Sequence, residues 1–337
     1  MDKNGLLDLI ISRLPGLNSK DRICLCEKID GEGDLIKFSK EAVESILGHS
    51  LKTFWDIDEA RAMAQRDAAT CRMRSIHWVS WKDPAYPQSL REIYDPPAIL
   101  FFRGQLPGAE NSLLGMVGTR KPSPEAQAQA FAVARDLGRA GVSVVSGLAI
   151  GIDAMSHKGN LEGGAPTFAV LGSGVDEVYP SVNRPLAQRI LDNKGAILSE
   201  YPPGTGPLKW NFPARNRIIS GLSRSVLIVE APQRSGALIT ADMALDQGRE
   251  LWVASSGVAA GETADTDSPK GFFDKRGTTK LARDGAEVIY KAGDVLAKWG
   301  IAAGVHNTQE STPRGIFSGS AGRTLAASMA KSLDIDL

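Results

Sequence analysis

The segment from 209 to 230, KWNFPARNRIISGLSRSVLIVE, combines positive charges with aromatic rings and carries no acidic residue before Glu230. Its cations are Lys209, Arg215, Arg217 and Arg224. Lys and Arg neutralise phosphates, and a ring such as Phe212 or Trp210 stacks on an unpaired base. These residue types predict a site for single-stranded nucleic acid. A solvated basic face with buried aromatic side chains is the alternative that this segment alone leaves open.

Runs of small residues follow several predicted strands. GTRK at 118–121 follows LLGMV, SGLAIGID from Ser146 follows another apolar run, and a turn around Ser235 follows SVLIVEA. The carboxyl ends of parallel strands meet at one edge of a sheet, where helix N-termini attract anions. We therefore predict a phosphate site at that edge, with the cations of the 209–230 segment on the same rim.

The common nucleotide motifs are missing from the sequence. GSGVDE from Gly172 has only the first two glycines of GxGxxG, and no GxxxxGK[ST] occurs. The first pattern marks dinucleotide sites and the second marks ATP-binding loops. The sequence therefore predicts no bound cofactor.

Several acidic residues lie where they could take part in catalysis. Asp153 and His157 are four residues apart, on one face of a predicted helix. They could form an acid–base or metal-binding pair, but no third ligand lies at a suitable spacing, so we favour a structural hydrogen bond and predict no metal. Asp176 and Glu200 follow strands and could serve catalysis, cap loops or pair with the arginines of the basic segment.

Composition bounds the class of protein. The chain has 337 residues, with 39 Lys and Arg against 39 Asp and Glu, so electrostatic arguments must be local. Cys24, Cys26 and Cys71 are an odd number and are expected to be reduced thiols. No signal-type N-terminus and no apolar run of about 18 residues is present. We expect a cytoplasmic protein without a membrane segment.

Strands and helices alternate along most of the chain. Predicted strands are continuously apolar, as in LLGMV, VSVVS, TFAVLG, GAILSE, SVLIVEA and ELWVAS. This pattern is typical of a parallel sheet covered by helices on both faces. Ser123 followed by Pro124 predicts one helix start. We predict an α/β fold with an extended Rossmann-like, doubly wound, mostly parallel sheet over residues 106–295.

The flanking regions differ in pattern. Residues 1–75 have apolar residues at helical spacing and predict a small all-helical domain. It is similar to sterile-alpha-motif or helix-hairpin-helix modules, and a plain helical bundle fits the same pattern equally well. Residues 76–105 predict a connector with strands at His77–Ser80 and Ala98–Phe102. Residues 258–280 predict an exposed loop, and 296–337 a flexible tail.

Five sequence motifs, in the same order along the chain, are similar to those of one known family. MVGTR, VVSGLAIGIDAMSH, AVLGSGVDEVYPSVN, ILSEYPPGTGPLKWNFPARNRIISGLS and VLIVEAPQRSGALITADMALDQGRE closely resemble the DprA/Smf family of DNA-processing proteins over roughly residues 10–290. The resemblance implies a non-enzymatic protein of natural transformation. Such a protein binds and protects single-stranded DNA, promotes loading of the RecA recombinase and works as a homodimer.

The resemblance also implies a DNA pocket in the Rossmann-like domain. By motif, that pocket includes the arginine of VGTR, the Lys and Phe before RNR, the RNR triplet and the small residues of SGLA. Together with the strand-end residues, the predicted DNA-binding set is Arg120, Lys121, Ser146, Gly147, Lys209, Phe212, Arg215, Asn216, Arg217, Ser235 and Gly236.

The sequence departs from the family pattern at its C-terminal end. WVASSG replaces the usual Pro-Gly after the GRE strand, and an insertion at 258–276 follows it. The common C-terminal winged-helix-like domain is expected to be replaced by a short polar tail. These differences affect the loop near Ser255–Gly257 rather than the predicted DNA pocket.

Two other functions fit the same fold. One is a nucleotide or nucleoside-phosphate hydrolase with Glu200 or Glu230 as the acid. PPGTG at 202–206 is a poor match to the phosphate loop of such enzymes. The other is an interaction scaffold, in which the N-terminal helices bind a protein and the sheet only holds them.

Overall fold

The N-terminal region is helical in the computed structural model, which describes residues 3–29, 31, 33, 39–52, 56–259 and 273–301. Asn18 begins the second helix because its side chain accepts a hydrogen bond from the Asp21 amide, in a capping box. Buried Leu7, Ile11 and Leu25 belong to an apolar cluster that continues into the sheet region. The helices are α1 (Lys3–Arg13), α2 (Ser19–Lys28), α3 (Lys40–Leu47) and α4 (Ile57–Met73).

Nine strands form one sheet within the described residues. They are β1 (His77–Ser80), β2 (Ile99–Gly104), β3 (Leu113–Val117), β4 (Ser143–Ser146), β5 (Thr167–Val170), β6 (Ala196–Ser199), β7 (Ser225–Ile228), β8 (Glu250–Ala254) and β9 (Glu287–Ile289). Their order across the sheet is β1-β2-β6-β5-β4-β3-β7-β8-β9. β1 and β2 pair antiparallel, as do β2 and β6, and the other pairs are parallel.

Helices cover both faces of this sheet. They are α5 (Gln88–Arg91), α6 (Pro124–Arg139), α7 (Ile152–Glu162), α8 (Arg184–Asp192), α9 (Asn211–Leu222), α10 (Gly236–Asp246), α11 (Arg276–Arg283) and α12 (Ala292–Trp299). Successive residues of a strand point to opposite faces, so Val144 packs with α6 while Val145 packs with α9. Burial on both faces explains why these strands are continuously apolar. The predicted Rossmann-like fold with a preceding helical region is confirmed.

The strand order places a switch point beside β3. The chain runs outward from β3 through β4 and β5 to β6, and then returns to add β7 on the other side of β3. Loops after β3, β4 and β7 therefore leave the sheet next to one another. In open α/β sheets, ligands bind in the crevice at this point.

Three details differ from the sequence expectations. The two strands of the 76–105 connector join the sheet itself. Residues 276–280, expected in an exposed loop, belong to α11, and the Gly277 amide joins this helix to the carbonyl of Ala231. The sequence did not predict β9.

The ordered fold extends past the predicted start of the C-terminal tail. Helix α12 continues past residue 296, where the predicted tail begins, and its Trp299 is buried in an apolar cluster. Most of the 258–276 insertion, and the tail beyond 301, lie outside the described residues.

Candidate functional site

A groove of about 910 Å³ opens at the switch point. Helix α9 contributes a stripe with the spacing i, i+3, i+4, i+7, formed by Phe212, Arg215, Asn216 and Ile219. This spacing puts the four residues on one face of the helix. The predicted residues that line the groove are Arg120, Lys121, Lys209, Phe212, Arg215, Asn216, Ser235 and Gly236. Residues from three separate loops and two helices thus meet in one place.

A smaller niche of about 90 Å³ adjoins the groove and is lined partly by Gly147 and Ile150. Two aromatic rings, Phe212 and Tyr179, contribute to both cavities, with centroids 5.6 Å apart and planes inclined by 45°. The guanidinium carbon of Arg120 lies 5.8 Å from the centre of the Phe212 ring. Tyr179 was not predicted from the sequence. The available signal was its position in YPSVN, shortly after the glycine turn that follows β5.

Glycines let the β3 loop pack directly on the start of α7. A Cβ atom on Gly118 would lie 2.6 Å from Cγ1 of Ile152. Gly151 has a φ of 83°, and a Cβ there would lie 2.5 Å from the carbonyl oxygen of Thr119. The Ile152 amide donates to that carbonyl at 3.2 Å. Arg120 is therefore held beside the N-terminus of α7, where the helix dipole favours an anion.

Three cations at the groove are exposed: Arg120, Lys121 and Lys209. Within the described ranges, no acidic side chain forms an ion pair with any of them. Asp274 also lines the groove, but its carboxylate pairs with Arg276 at 2.7 Å. The three exposed cations are available to bind a phosphate.

Arg215 lies beneath the groove rather than on its rim. Its guanidinium is buried and donates to the carbonyls of Gly147, at 3.1 Å, and Val170. Burial lowers the pKa of Arg215 to about 10, so the group stays charged at neutral pH. A Cβ on Gly147 would lie 2.6 Å from this guanidinium, so a side chain there would displace it. Arg215 joins the ends of β4 and β5 instead of presenting a fully exposed charge.

Arg217 does not reach the groove. Its guanidinium contacts Glu200 through two hydrogen bonds, at 2.7 and 2.5 Å, and Asp95 at 2.9 Å. Only 11% of its side chain is exposed. Burial alone would lower the pKa of Arg217, but the hydrogen bond with Glu200 and the nearby charges of Glu200 and Asp95 together outweigh it and raise the pKa above its ordinary value. The pairing of Glu200 with an arginine, left open by the sequence, is confirmed, and Arg217 is not placed where it could bind phosphate.

Two other polar residues of the predicted set, Ser146 and Asn216, stabilise the loops. The Ser146 hydroxyl is buried and donates to the carbonyl of Met116 at 2.6 Å. The Asn216 amide donates to the carbonyl of Gly236 at 3.1 Å and joins α9 to the start of α10. Ser235 precedes α10, and its side chain is half-buried.

Asp153 and His157 each have separate partners. Asp153 accepts hydrogen bonds from the amides of Gly147 and Ala149, and burial raises its pKa. His157 bonds to the Thr167 hydroxyl at 2.7 Å, and burial lowers the pKa of His157 to about 3. Both residues make structural hydrogen bonds, although not with each other. The described part of the chain contains no group of three or more His, Cys, Asp or Glu side chains that could hold a metal ion.

Two further carboxylates cap loops. Asp176 accepts hydrogen bonds from the Gly204 amide through both of its oxygens. Glu230 is fully buried and accepts from the Ser123 amide at 2.9 Å and from its hydroxyl at 2.6 Å. The loop-capping alternative for Asp176 is confirmed.

Across the described ranges, no helix is both long enough and apolar enough to span a membrane.

The fold and the groove define a class, namely Rossmann-like proteins with a cationic groove at the sheet's switch point. Residues 77–300 match the model of the family described as DNA recombination-mediator protein A. The chain therefore belongs to this family.

Two proteins of similar sequence support this assignment. The chain is 37% identical over 244 residues to DNA processing protein DprA of Bacillus subtilis, covering 72% of this chain and 77% of the relative. It is 36% identical over 274 residues to Protein Smf of Synechocystis, covering 80% of this chain. That second match spans 63% of the Synechocystis protein.

Solved structures show the same architecture. DprA from Streptococcus pneumoniae superimposes with a TM-score of 0.67 and 30% identity, covering 88% of this chain and 98% of that one. DprA from Helicobacter pylori, whose structure concerns a single-stranded DNA binding mode, matches with a TM-score of 0.54 and 26% identity. This second match covers 66% of this chain and 95% of the other.

Proposed function

We propose that this protein binds single-stranded DNA in the switch-point groove, as a mediator of recombination and not as an enzyme. One observation carries the proposal. Arg120 and Lys209, which come from different loops, line the same groove as the Phe212 ring, and the guanidinium carbon of Arg120 lies 5.8 Å from the centre of that ring. Cations that neutralise phosphates beside a ring that stacks on bases suit an unpaired strand. The single-stranded DNA binding of the Helicobacter pylori relative supports it.

The groove offers separate contacts for the two parts of a nucleotide. Arg120, Lys121 and Lys209 neutralise phosphates, and the N-terminus of α7 adds a favourable dipole. The Phe212 and Tyr179 rings stack on bases, and because every base has a flat face, such binding tolerates any sequence. Arg215 shapes the groove from below, by joining the strand ends.

The finer aspects of the function follow from family membership. We propose that the bound strand is protected and passed to a RecA-type recombinase, and that the protein acts as a homodimer. Protection is consistent with a groove that encloses part of the strand. The recombinase and the dimer are carried by the resemblance and not by a described contact.

The hydrolase alternative gains no support at the two acids it would use. Glu200 is held by Arg217, and Glu230 is fully buried with both oxygens bonded to Ser123. A catalytic acid must instead reach the group that it protonates. Neither carboxylate is free to do so.

The test is a fluorescence-anisotropy titration of a labelled dT oligomer, with a duplex of the same length alongside. We expect binding at low salt that weakens steeply as salt rises, because the protein displaces counterions from the DNA phosphates when it binds. We also expect a preference for the single strand. Absence of binding to the oligomer at low salt would refute the proposal.

A further inference from the structure

Trp210 is an exposed tryptophan at the edge of the groove. It occupies the N-cap position of α9, and 70% of its surface is accessible. It belongs to none of the three apolar clusters formed by the described residues, whereas Trp252 and Trp299 are buried in one of them. The fold therefore does not explain the ring by burial.

The ring follows directly on a residue that lines the groove. Lys209 and Phe212 line the cavity, while Leu208 and Trp210 are exposed beside it. Adjacent Cα atoms are about 3.8 Å apart, so the tryptophan begins within one residue of the cation. A phosphate bound at Lys209 would have its neighbouring base within reach of this ring.

The backbone that carries the ring is fixed on both sides. The Asn211 amide donates to the carbonyl of Leu208 at 3.0 Å. The Asn211 side chain is buried and donates to the carbonyl of Gly172 at 3.1 Å. A platform that is held in place before binding loses less conformational entropy when it binds.

The local charge favours a polyanion as the occupant. Lys209 is exposed, forms no ion pair within the described residues, and lines the same groove as the exposed Arg120 and Lys121. A flat indole next to such an ammonium matches the combination that binds unpaired bases and their phosphates.

We propose that Trp210 is a second base-stacking platform: a strand held in the groove continues past Lys209, and its next unpaired base stacks on the indole. This inference rests on the proposed function and extends the binding site beyond the groove. It predicts a longer contact than the cavity alone provides.

The test compares variants by anisotropy with a labelled dT oligomer long enough to leave the groove. Trp210 makes no capping hydrogen bond, so Trp210→Ala removes none from α9. We expect Trp210→Ala to weaken binding about five- to tenfold, in line with the loss of one stacked base. Trp210→Phe retains a ring and should stay within about twofold of the unchanged protein. Tyr290→Ala, which removes a ring that is 68% exposed after β9, is the matched control and should leave affinity unchanged.

An abasic oligomer of the same length separates stacking from charge. Trp210→Ala should bind it as tightly as the unchanged protein does, whereas Lys209→Ala should weaken binding to both oligomers. Equal affinity of the unchanged protein and Trp210→Ala for the dT oligomer would overturn the inference. So would an equal loss on the abasic strand, or a loss of self-association without a loss of DNA affinity.

Failure of the inference is distinguishable from failure of the proposed function. If the unchanged protein binds neither oligomer, the proposed function is refuted, and the inference with it. If it binds dT normally but Trp210→Ala has no effect, only the stacking role of Trp210 is refuted.

Discussion

The cations around the groove fall into two groups that the sequence does not distinguish. The outer group consists of Arg120, Lys121 and Lys209, which are exposed and have no ion pair among the described residues. Arg215 and Arg217 form the inner group, which contacts carbonyls and carboxylates of the protein. Equal charges thus have different uses: the outer group is free for a ligand, and the inner group stabilises the fold that holds it.

The geometry of α9 explains why Arg215 and Arg217 point in different directions. Residues two apart on an α-helix lie about 200° apart around its axis. Arg215 shares the groove-facing stripe with Phe212, so Arg217 must point elsewhere, towards Glu200 at the end of β6. A basic run in sequence therefore does not become a basic patch in space.

The largest effect should come from removing the inner tie between strands. Arg215→Ala leaves the buried carbonyls of Gly147 and Val170 without a donor and Asp153 without a nearby positive charge. We expect the free energy of unfolding to fall by about 3–5 kcal/mol, as when a buried charge loses its partner. Urea unfolding measures this, with the exposed Arg189→Ala as control. A fall of less than about 1 kcal/mol would contradict the structural role of Arg215.

A second effect concerns His157, a buried side chain of α7. Burial lowers the pKa of His157 to about 3, below its ordinary 6.5, so the folded protein resists a proton that the unfolded chain accepts. Stability should therefore fall as pH drops below 6.5, by about 2 kcal/mol at pH 5. Urea unfolding of the unchanged protein and of His157→Gln at pH 7 and 5 measures this.

The comparison with the variant isolates the histidine. Asp8, whose pKa burial raises to about 6, changes stability in the opposite direction over the same pH range, but it is present in both proteins. The loss between pH 7 and pH 5 should be smaller in the variant by about the histidine contribution. Identical pH profiles would mean that His157 becomes protonated in the folded state.

A third experiment separates the two groups of cations directly. Lys209→Ala should weaken binding of single-stranded DNA about tenfold at low salt, while changing unfolding free energy by less than about 0.5 kcal/mol. Arg217→Lys should lower the unfolding free energy and leave DNA affinity unchanged, because lysine cannot make both bonds to Glu200. Anisotropy and urea unfolding of both variants give the four values. A loss of DNA affinity in Arg217→Lys as large as in Lys209→Ala would remove the distinction.

The smallest effect should come from Phe212, the ring that lines the groove with the outer cations. Phe212→Leu retains an apolar side chain but loses the flat face, so binding of dT should weaken about threefold. Phe212→Tyr retains the ring and serves as the control. Anisotropy titration at one salt concentration is sufficient, and equal affinities of both variants and the unchanged protein would exclude stacking at this position.

Much of the fold was predictable because burial on both faces leaves a clear pattern. The runs LLGMV and SVLIVEA are apolar without alternation, and Ser123-Pro124 predicts where α6 begins. The three-residue β9 is too short to show such a pattern. The connector strands were predicted, but the antiparallel pairing of β2 with β6 depends on contacts distant in sequence.

The site was less predictable than the fold. The residue types of the outer cations and Phe212 indicated chemistry that needs only an exposed charge or ring. The partners of Arg217 could not be read from the sequence, because Asp95 lies far from it along the chain. Tyr179 was missed because its contact with Phe212 depends on how the loop after β5 meets α9.

The central claim is that one DNA strand contacts both Arg120 and Lys209. The most direct measurement is the salt dependence of dT-oligomer binding by the unchanged protein, each single alanine variant and the double variant. Each lost phosphate contact should reduce the slope of log affinity against log salt by about 0.7, so the double variant should lose about 1.4. A double variant with the slope of the unchanged protein would contradict the account.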